Sequence, residues 1–236
     1  MKRLLPLFTY AFVGVEACLW ALIQFTGGVL CTALCFSSVV LGFLYSLFAL
    51  RNIEGLKERR VWLLLCGLAT TVCADLCLVV LQPIQRLWGM VFFCFTQTFY
   101  FLYLYGKQEE QHLKRLHLLL RAGLTCLMPP LAYLVLGAGI DALAILSVIY
   151  FANLFCNIIF SKVKMKGTLL LFIGLISFAL CDIMVGLSTL CDLYLTVDPS
   201  SFLYKLTHTG INLVWLFYVP SQTLIALHCV KETNST

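Results

Sequence analysis

Three carboxylates stand where a carboxylate is expensive. Asp75 lies in VCADLCLVVL (72–81), Asp182 closes LLFIGLISFALCD (170–182), and Glu16 interrupts the first apolar run. An acid in hydrocarbon costs about 3 kcal/mol on insertion scales, so such groups face a bundle interior or a wet cavity and mark function. Two neighbouring carboxyls in low dielectric titrate apart, which suits a division of labour. The protonated one serves as general acid; the ionised one stabilises a cation or activates water. The competing reading is a protonated acid that only clamps helices together. It holds as well as the functional one for Glu16 and less well for the two aspartates.

The other chemistry-bearing residues narrow the choice. His112, His117, His208 and His228 all fall in loops or near the ends of apolar runs, away from the depth of the acids. That argues against an intramembrane zinc centre and a Ser-His-Asp triad. A Gly-rich phosphate loop and a dinucleotide fingerprint are both missing. No metal or organic cofactor is therefore expected. The 12 cysteines show no CxxC spacing and read as small apolar packing residues.

The elements that must hold these acids follow from composition. The chain has 236 residues, 61% hydrophobic and 11% charged, against about 25% charged for a soluble domain. The reading is an all-α, polytopic membrane bundle forming a single transmembrane domain over 1–236. A helix needs about 20 apolar residues to cross the bilayer. Eight such runs occur, at about 4–25, 28–50, 61–82, 87–105, 116–137, 142–160, 168–190 and 207–229. Polar breaks RNIEGLKERR (51–60), GKQEEQHLKR (106–115) and SKVKMK (161–166), a tight turn at Gly137–Gly139 with Asp141, and a loop containing DPSS (198–201) separate them. The start, MKRLLPLFTYAF, resembles a signal peptide but runs on without a small-residue cleavage site, so it reads as a retained first helix.

Charge sets the orientation. With the N-terminus inside, Lys2, Arg3, Arg51, Lys57, Arg59, Arg60, Lys107, Lys114, Arg115, Lys162, Lys164, Lys166 and Lys231 are cytoplasmic, against Arg86 and Lys205 outside. Both termini are then cytoplasmic. Arg121, in the first turns of the fifth span, is expected to snorkel to the cytoplasmic face. The net charge of +5 is a topology signal and implies no nucleic-acid partner. Glu16, Asp75 and Asp182 come to about the same depth, ~18–21 Å from the cytoplasmic face at the α-helical rise.

The third and seventh spans resemble each other. LLLCGLATTVCAD (63–75) and LLFIGLISFALCD (170–182) align without gaps, matching Gly67 with Gly174 and Asp75 with Asp182. The spans that follow place Gln97 and Gln222 in register, each followed by Thr. Such a parallel repeat, over 61–105 and 168–229, would put two Asp/Gln pairs around one cavity. Further polar stripes point inward: Gln97, Tyr100 and, at its edge, Tyr103; Tyr150, Asn153 and Asn157; Tyr218 and Gln222. Pro220, between Tyr218 and Gln222, should free a backbone carbonyl. Trp62 and Trp88 read as interfacial anchors.

The segments CADLCLV (Asp75), FCFTQTFY (93–100), LCDIMVGL (180–187) and YVPSQ (218–222) together resemble the YhhN-type lysoplasmalogenases, a family of multispan membrane proteins, over about residues 60–230. Asp75 falls on the family's Gly/Ala-Asp pair, Asp182 on its Ser-Asp position, Tyr100 on the tyrosine of its F-x-x-A-H-x-x-Y segment, and Tyr218 and Gln222 on its Y-x-x-x-Q segment. Two positions depart: Gln97 stands where the family has histidine, and Cys181 where it has serine. The resemblance implies hydrolysis of the vinyl ether bond of lysoplasmalogens to a fatty aldehyde and a glycerophospho-headgroup. Asp75 and Asp182 would be catalytic. Glu16, Gln97, Tyr100, Asn153, Asn157, Tyr218 and Gln222 would bind the lysophospholipid. The alternative is a non-enzymatic lipid- or small-molecule-binding protein, or a proton-coupled transporter using the same acids. The bilayer is the implied partner in either case. A bacterial plasma membrane fits the short chain, with a eukaryotic endomembrane as the other setting.

Overall fold

In the computed structural model, residues 5–52, 58–81, 85–137, 140–162, 167–193, 198 and 200–232 are described. Lys2, Arg3, Lys57, Lys164, Lys166 and the middle of the Gly137–Gly139 turn lie outside them. The described residues form helices: α1 (Leu5–Phe25), α2 (Gly28–Asn52), α3 (Arg59–Asp75), α4 (Arg86–Lys107), α5 (Gln111–Leu136), α6 (Ala142–Lys162), α7 (Leu169–Leu193), a short α8 (Phe202–Thr207) and α9 (Leu213–Glu232). Helix is what such sequences must adopt, because hydrocarbon offers no partner for an unpaired peptide group.

Seven helices, all but α5 and α8, are long and apolar enough to cross a membrane. The helix α5 is long but carries His117, Arg121 and Pro129–Pro130, which dilute its apolar character. Eight long helices thus occupy the eight expected runs, with shifted ends. The 106–115 break shrinks, because α4 runs to Lys107 and α5 begins at Gln111. The last span starts at Leu213 rather than about 207, the residues before it forming α8 capped by Ser201. Gly28 lets α1 turn into α2 with φ +60°, and Gly137 ends α5 with φ +66°, conformations that a side chain disfavours.

Two helix pairs carry the most extensive packing, α3 with α4 and α7 with α9. Both close on a glycine. Gly67 receives the ring of Tyr100, while Gly174 receives Ile225 and the Ser221 carbonyl. Tyr100 and Ile225 each lie three residues beyond the glutamine of their helix, Gln97 and Gln222. The outer neighbours also correspond: α4 packs on α6 and α9 on α2. Leu5 and Glu232 lie at the same end of the bundle, the one rich in Lys and Arg. There Thr9 of α1 meets Tyr45 near the end of α2, and Lys107 ends α4 against Glu232.

Pro220 frees the carbonyl of Leu216, its partner four residues back. That oxygen accepts a hydrogen bond from the indole of Trp20 at 3.1 Å, so α1 supplies the donor that the proline removed. Trp20→Phe should cost about 1–3 kcal/mol, the range for a buried group left unpaired. In a Pro220→Ala background the same change should cost less, because the helix then satisfies the carbonyl itself. Unfolding midpoints of the four proteins check this coupling.

Candidate functional site

Asp75 ends the α-helical part of α3. The next residues, Leu76–Val80, form a π-helical turn closed by the bond from Leu81 N to Leu76 O at 3.0 Å. Such turns interrupt the regular ladder and collect at functional positions. Asp75 is 3% exposed, whereas Asp182 is only half-buried. The Tyr218 hydroxyl of α9 donates to Asp75 Oδ2 at 2.6 Å. The Tyr150 hydroxyl of α6 donates to Asp182 Oδ2 at 2.7 Å. The two acids lie close enough to interact electrostatically, and Cys181 interacts with both. Phe178, fully buried, stands between the two tyrosines, its ring centroid 5.2 Å from Tyr218 and 6.4 Å from Tyr150. Four helices therefore converge on a pair of tyrosine-held carboxyls.

A polar cavity of about 350 Å³ lies toward the other end of the bundle from the basic residues. Its lining includes Met184 and Ser188 of α7, Val214 of α9, Asn212 and Gln24. Met184 and Ser188 continue the α7 face that begins at Cys181, and Val214 is one turn from Tyr218. The cavity lies along these two helices beyond the aspartate site, and Asp75, Asp182, Tyr150 and Tyr218 are not in its lining.

The remaining candidates divide. Glu16 accepts a hydrogen bond from Ser38 at 2.6 Å, joining α1 to α2 as an interhelical clamp. Gln97 turns to α6, where Asn157 Nδ2 donates to its side-chain and backbone oxygens, both at 2.9 Å. Tyr100, expected on the same face as Gln97, instead fills the Gly67 notch on α3, and its hydroxyl is buried without a protein partner. Tyr103 goes to His228 of α9 at 2.8 Å. The span-four stripe is thus split among three neighbours. Asn153 bonds back to the Ile149 carbonyl of its own helix. Gln222 is buried one turn below Tyr218, with neither amide atom bonded to protein.

Arg121 corrects its expectation outright. It is half-buried, and its guanidinium turns to α6 and α4. It donates to Asn157 Oδ1 at 3.2 Å and to the Gln97 carbonyl at 3.5 Å, and lies over the Phe101 ring at 4.4 Å. Its place in the first turns of the fifth span suggested snorkelling but says nothing of helix rotation, and the polar face of α6 draws it inward. The direct role of Tyr150 was also missed; its place in the Tyr150/Asn157 stripe was the available signal. Among the described residues, His, Cys, Asp and Glu nowhere gather in threes that could hold a metal ion.

Comparison with curated proteins and with solved structures finds no match. A family model does match, and over residues 32–229. That stretch is wider at its start than the four motifs suggested. It takes in α2, which packs on α9, and leaves out α1 with Glu16. It holds Asp75, Tyr150, Asp182 and Tyr218, all the residues of the paired-carboxyl site, and on this extent of match the chain belongs to the YhhN family.

Proposed function

We propose that the protein is a membrane hydrolase that cleaves the vinyl ether bond of lysoplasmalogen-like lipids. The observation that carries this reading is the pair of carboxyls, each held through one oxygen by a buried tyrosine hydroxyl, with both tyrosines set against the Phe178 ring. Vinyl ether hydrolysis needs one proton donor and one carboxylate, much as glycoside hydrolysis does. A proton from Asp75, the drier acid, adds to the alkenyl carbon that does not bear oxygen. The adjacent carbon becomes an oxocarbenium centre, opposite which the Asp182 carboxylate stabilises charge. Water then forms a bond to that carbon and gives its proton to Asp182, which is the more open of the two. The hemiacetal collapses as its C–O bond to glycerol breaks: the glycerol oxygen takes the proton held by Asp182, and the hemiacetal hydroxyl gives its proton to Asp75, which restores both groups. Fatty aldehyde and glycerophospho-headgroup leave. Every atom comes from lipid and water.

Within this reading, Tyr218 and Tyr150 fix the carboxyls, the polar cavity supplies water, and the matched packing of Gly67/Tyr100 and Gly174/Ile225 reflects a parallel repeat. The basic end of the bundle faces the cytoplasm. A second reading, binding or proton-coupled transport, is favoured by Gln222 and Ser221, whose buried polar atoms without protein partners extend a polar column past Asp75. The deciding experiment is aldehyde release from a lysoplasmalogen by purified protein. Release supports the hydrolase. A well-folded protein inert toward both alkenyl and acyl lysophospholipids sinks it and favours the second reading.

A further inference from the structure

A guanidinium packed among the helices of a membrane protein favours an anion beside it. Arg121 is half-buried and held against α6 and α4 by neutral partners, Asn157 Oδ1 and the Gln97 carbonyl, and by the face of Phe101. Among the described residues, no carboxylate pairs with it. A cation in low dielectric without a counter-charge is costly, and evolution toward a packing role would favour an apolar residue there. Two further polar atoms lie beside it. Gln97 Nε2 belongs to a residue that is fully buried, His117 Nε2 to one that is 2% exposed, and neither bonds to protein. His117 is one turn before Arg121 on α5 and interacts with it electrostatically. Its ring is stacked on Phe160 and set edge-on to Phe101, which fixes its position. Arginine, a fixed fork of N–H donors, matches a phosphate better than a point charge does.

The helix α5 packs along α6 and reaches α4 through the side chains of Arg121 and His117. The α4–α5 side is therefore bridged by side chains rather than closed by backbone packing. Along α6, Asn157 is seven residues from Tyr150, two turns or about 10 Å. Tyr150 holds Asp182. One face of α6 thus runs from the guanidinium to the acid pair, a span suited to a phosphate at one end and the bond nearest the glycerol at the other.

We propose that Arg121, with Gln97 and His117, forms a subsite for the phosphate of a single-chain phospholipid, on the basic-end side of the aspartate pair. Calling that lipid a substrate rests on the hydrolase reading; the anion subsite itself does not. The glutamine at position 97 then orients a headgroup oxygen rather than moving a proton.

The test is binding, followed by native mass spectrometry of the full chain in a maltoside detergent. The probes are an acyl lysophosphatidylethanolamine, which has no vinyl ether, the matching monoacylglycerol, glycerophosphoethanolamine and inorganic phosphate. Arg121→Gln should weaken lysophospholipid binding at least tenfold and leave monoacylglycerol binding unchanged. Arg121→Lys, which keeps the charge but loses the fork, should bind lysophospholipid between wild type and Arg121→Gln, and its unchanged monoacylglycerol binding guards against a folding artefact. Unchanged lysophospholipid binding in Arg121→Gln overturns the subsite. Equal, Arg121-dependent binding of glycerophosphoethanolamine or inorganic phosphate overturns the lipid as its source. Arg121-dependent binding with no aldehyde release would leave the subsite standing and remove only the hydrolase reading.

Discussion

Asp75→Asn and Asp182→Asn should each lower aldehyde release by about 10²–10⁴, the range that general acid–base groups contribute. Both variants keep the side-chain volume and can still accept from Tyr218 or Tyr150, so the helices should assemble as before. An equal loss in the double variant would mean that the pair acts as one unit, since residues of a single catalytic device are not additive. Tyr218→Phe and Tyr150→Phe remove only the hydroxyls at 2.6 and 2.7 Å. Tyr150 donates to the ionised Asp182, a bond worth about 1.5–3 kcal/mol, and Tyr218 to the protonated Asp75, worth about 0.5–1.5 kcal/mol, so Tyr150→Phe should slow turnover roughly 10–100-fold and Tyr218→Phe roughly 2–10-fold. The measurement is single-turnover aldehyde formation, with helicity and unfolding midpoint recorded for every variant. Full activity in Asp182→Asn would show that the half-buried acid is a bystander and that water is activated elsewhere.

Gly67→Ala is expected to destabilise more than two other single methyl additions, Gly174→Ala and Gly14→Ala. An added Cβ overlaps the Tyr100 ring and comes within 2.9 Å of its Cδ1. Tyr100 is fully buried, so the ring has nowhere to swing. Overpacking of this kind costs about 1–3 kcal/mol, against the ~1 kcal/mol that alanine gains over glycine in a helix. Gly174→Ala meets Ile225 Cγ1 at 2.9 Å and the Ser221 carbonyl at 3.2 Å, a milder conflict with a flexible side chain and a rigid backbone. Gly14 has nothing within 4 Å, so Gly14→Ala should be neutral or slightly stabilising. The order Gly67 worst, Gly174 intermediate, Gly14 neutral can be read from thermal midpoints in detergent. Tyr100→Leu should soften the Gly67→Ala penalty, because the smaller side chain vacates the overlap. If Gly67→Ala melts as wild type does, the α3–α4 contact is looser than its geometry implies.

The order and approximate extent of the long helices were legible in the sequence for a physical reason. A spanning segment must satisfy its own backbone and shed charge over about 20 residues, and both demands are written locally. The same demand made Asp75, Asp182 and Glu16 conspicuous, since a charge in hydrocarbon needs a cause. The Gly67/Gly174 correspondence was visible as well, although only packing shows that each glycine admits the neighbouring helix at the same offset from its glutamine.

Tertiary structure alone decided the rest. Asp75 takes its tyrosine from 143 residues away and Asp182 from 32. Periodicity names the face a residue occupies but not the helix that face will meet. That is why Gln97, Tyr100 and Tyr103, which look like one stripe, end on α6, α3 and α9. It is why Arg121, expected to snorkel to the cytoplasmic face, turns to Asn157. It is also why the carbonyl freed by Pro220 could be foreseen while its donor, Trp20, could not. Local sequence fixes each helix and its depth, through backbone satisfaction and the cost of charge. The rotation of each helix and the identity of its neighbours emerge only when all of them pack together.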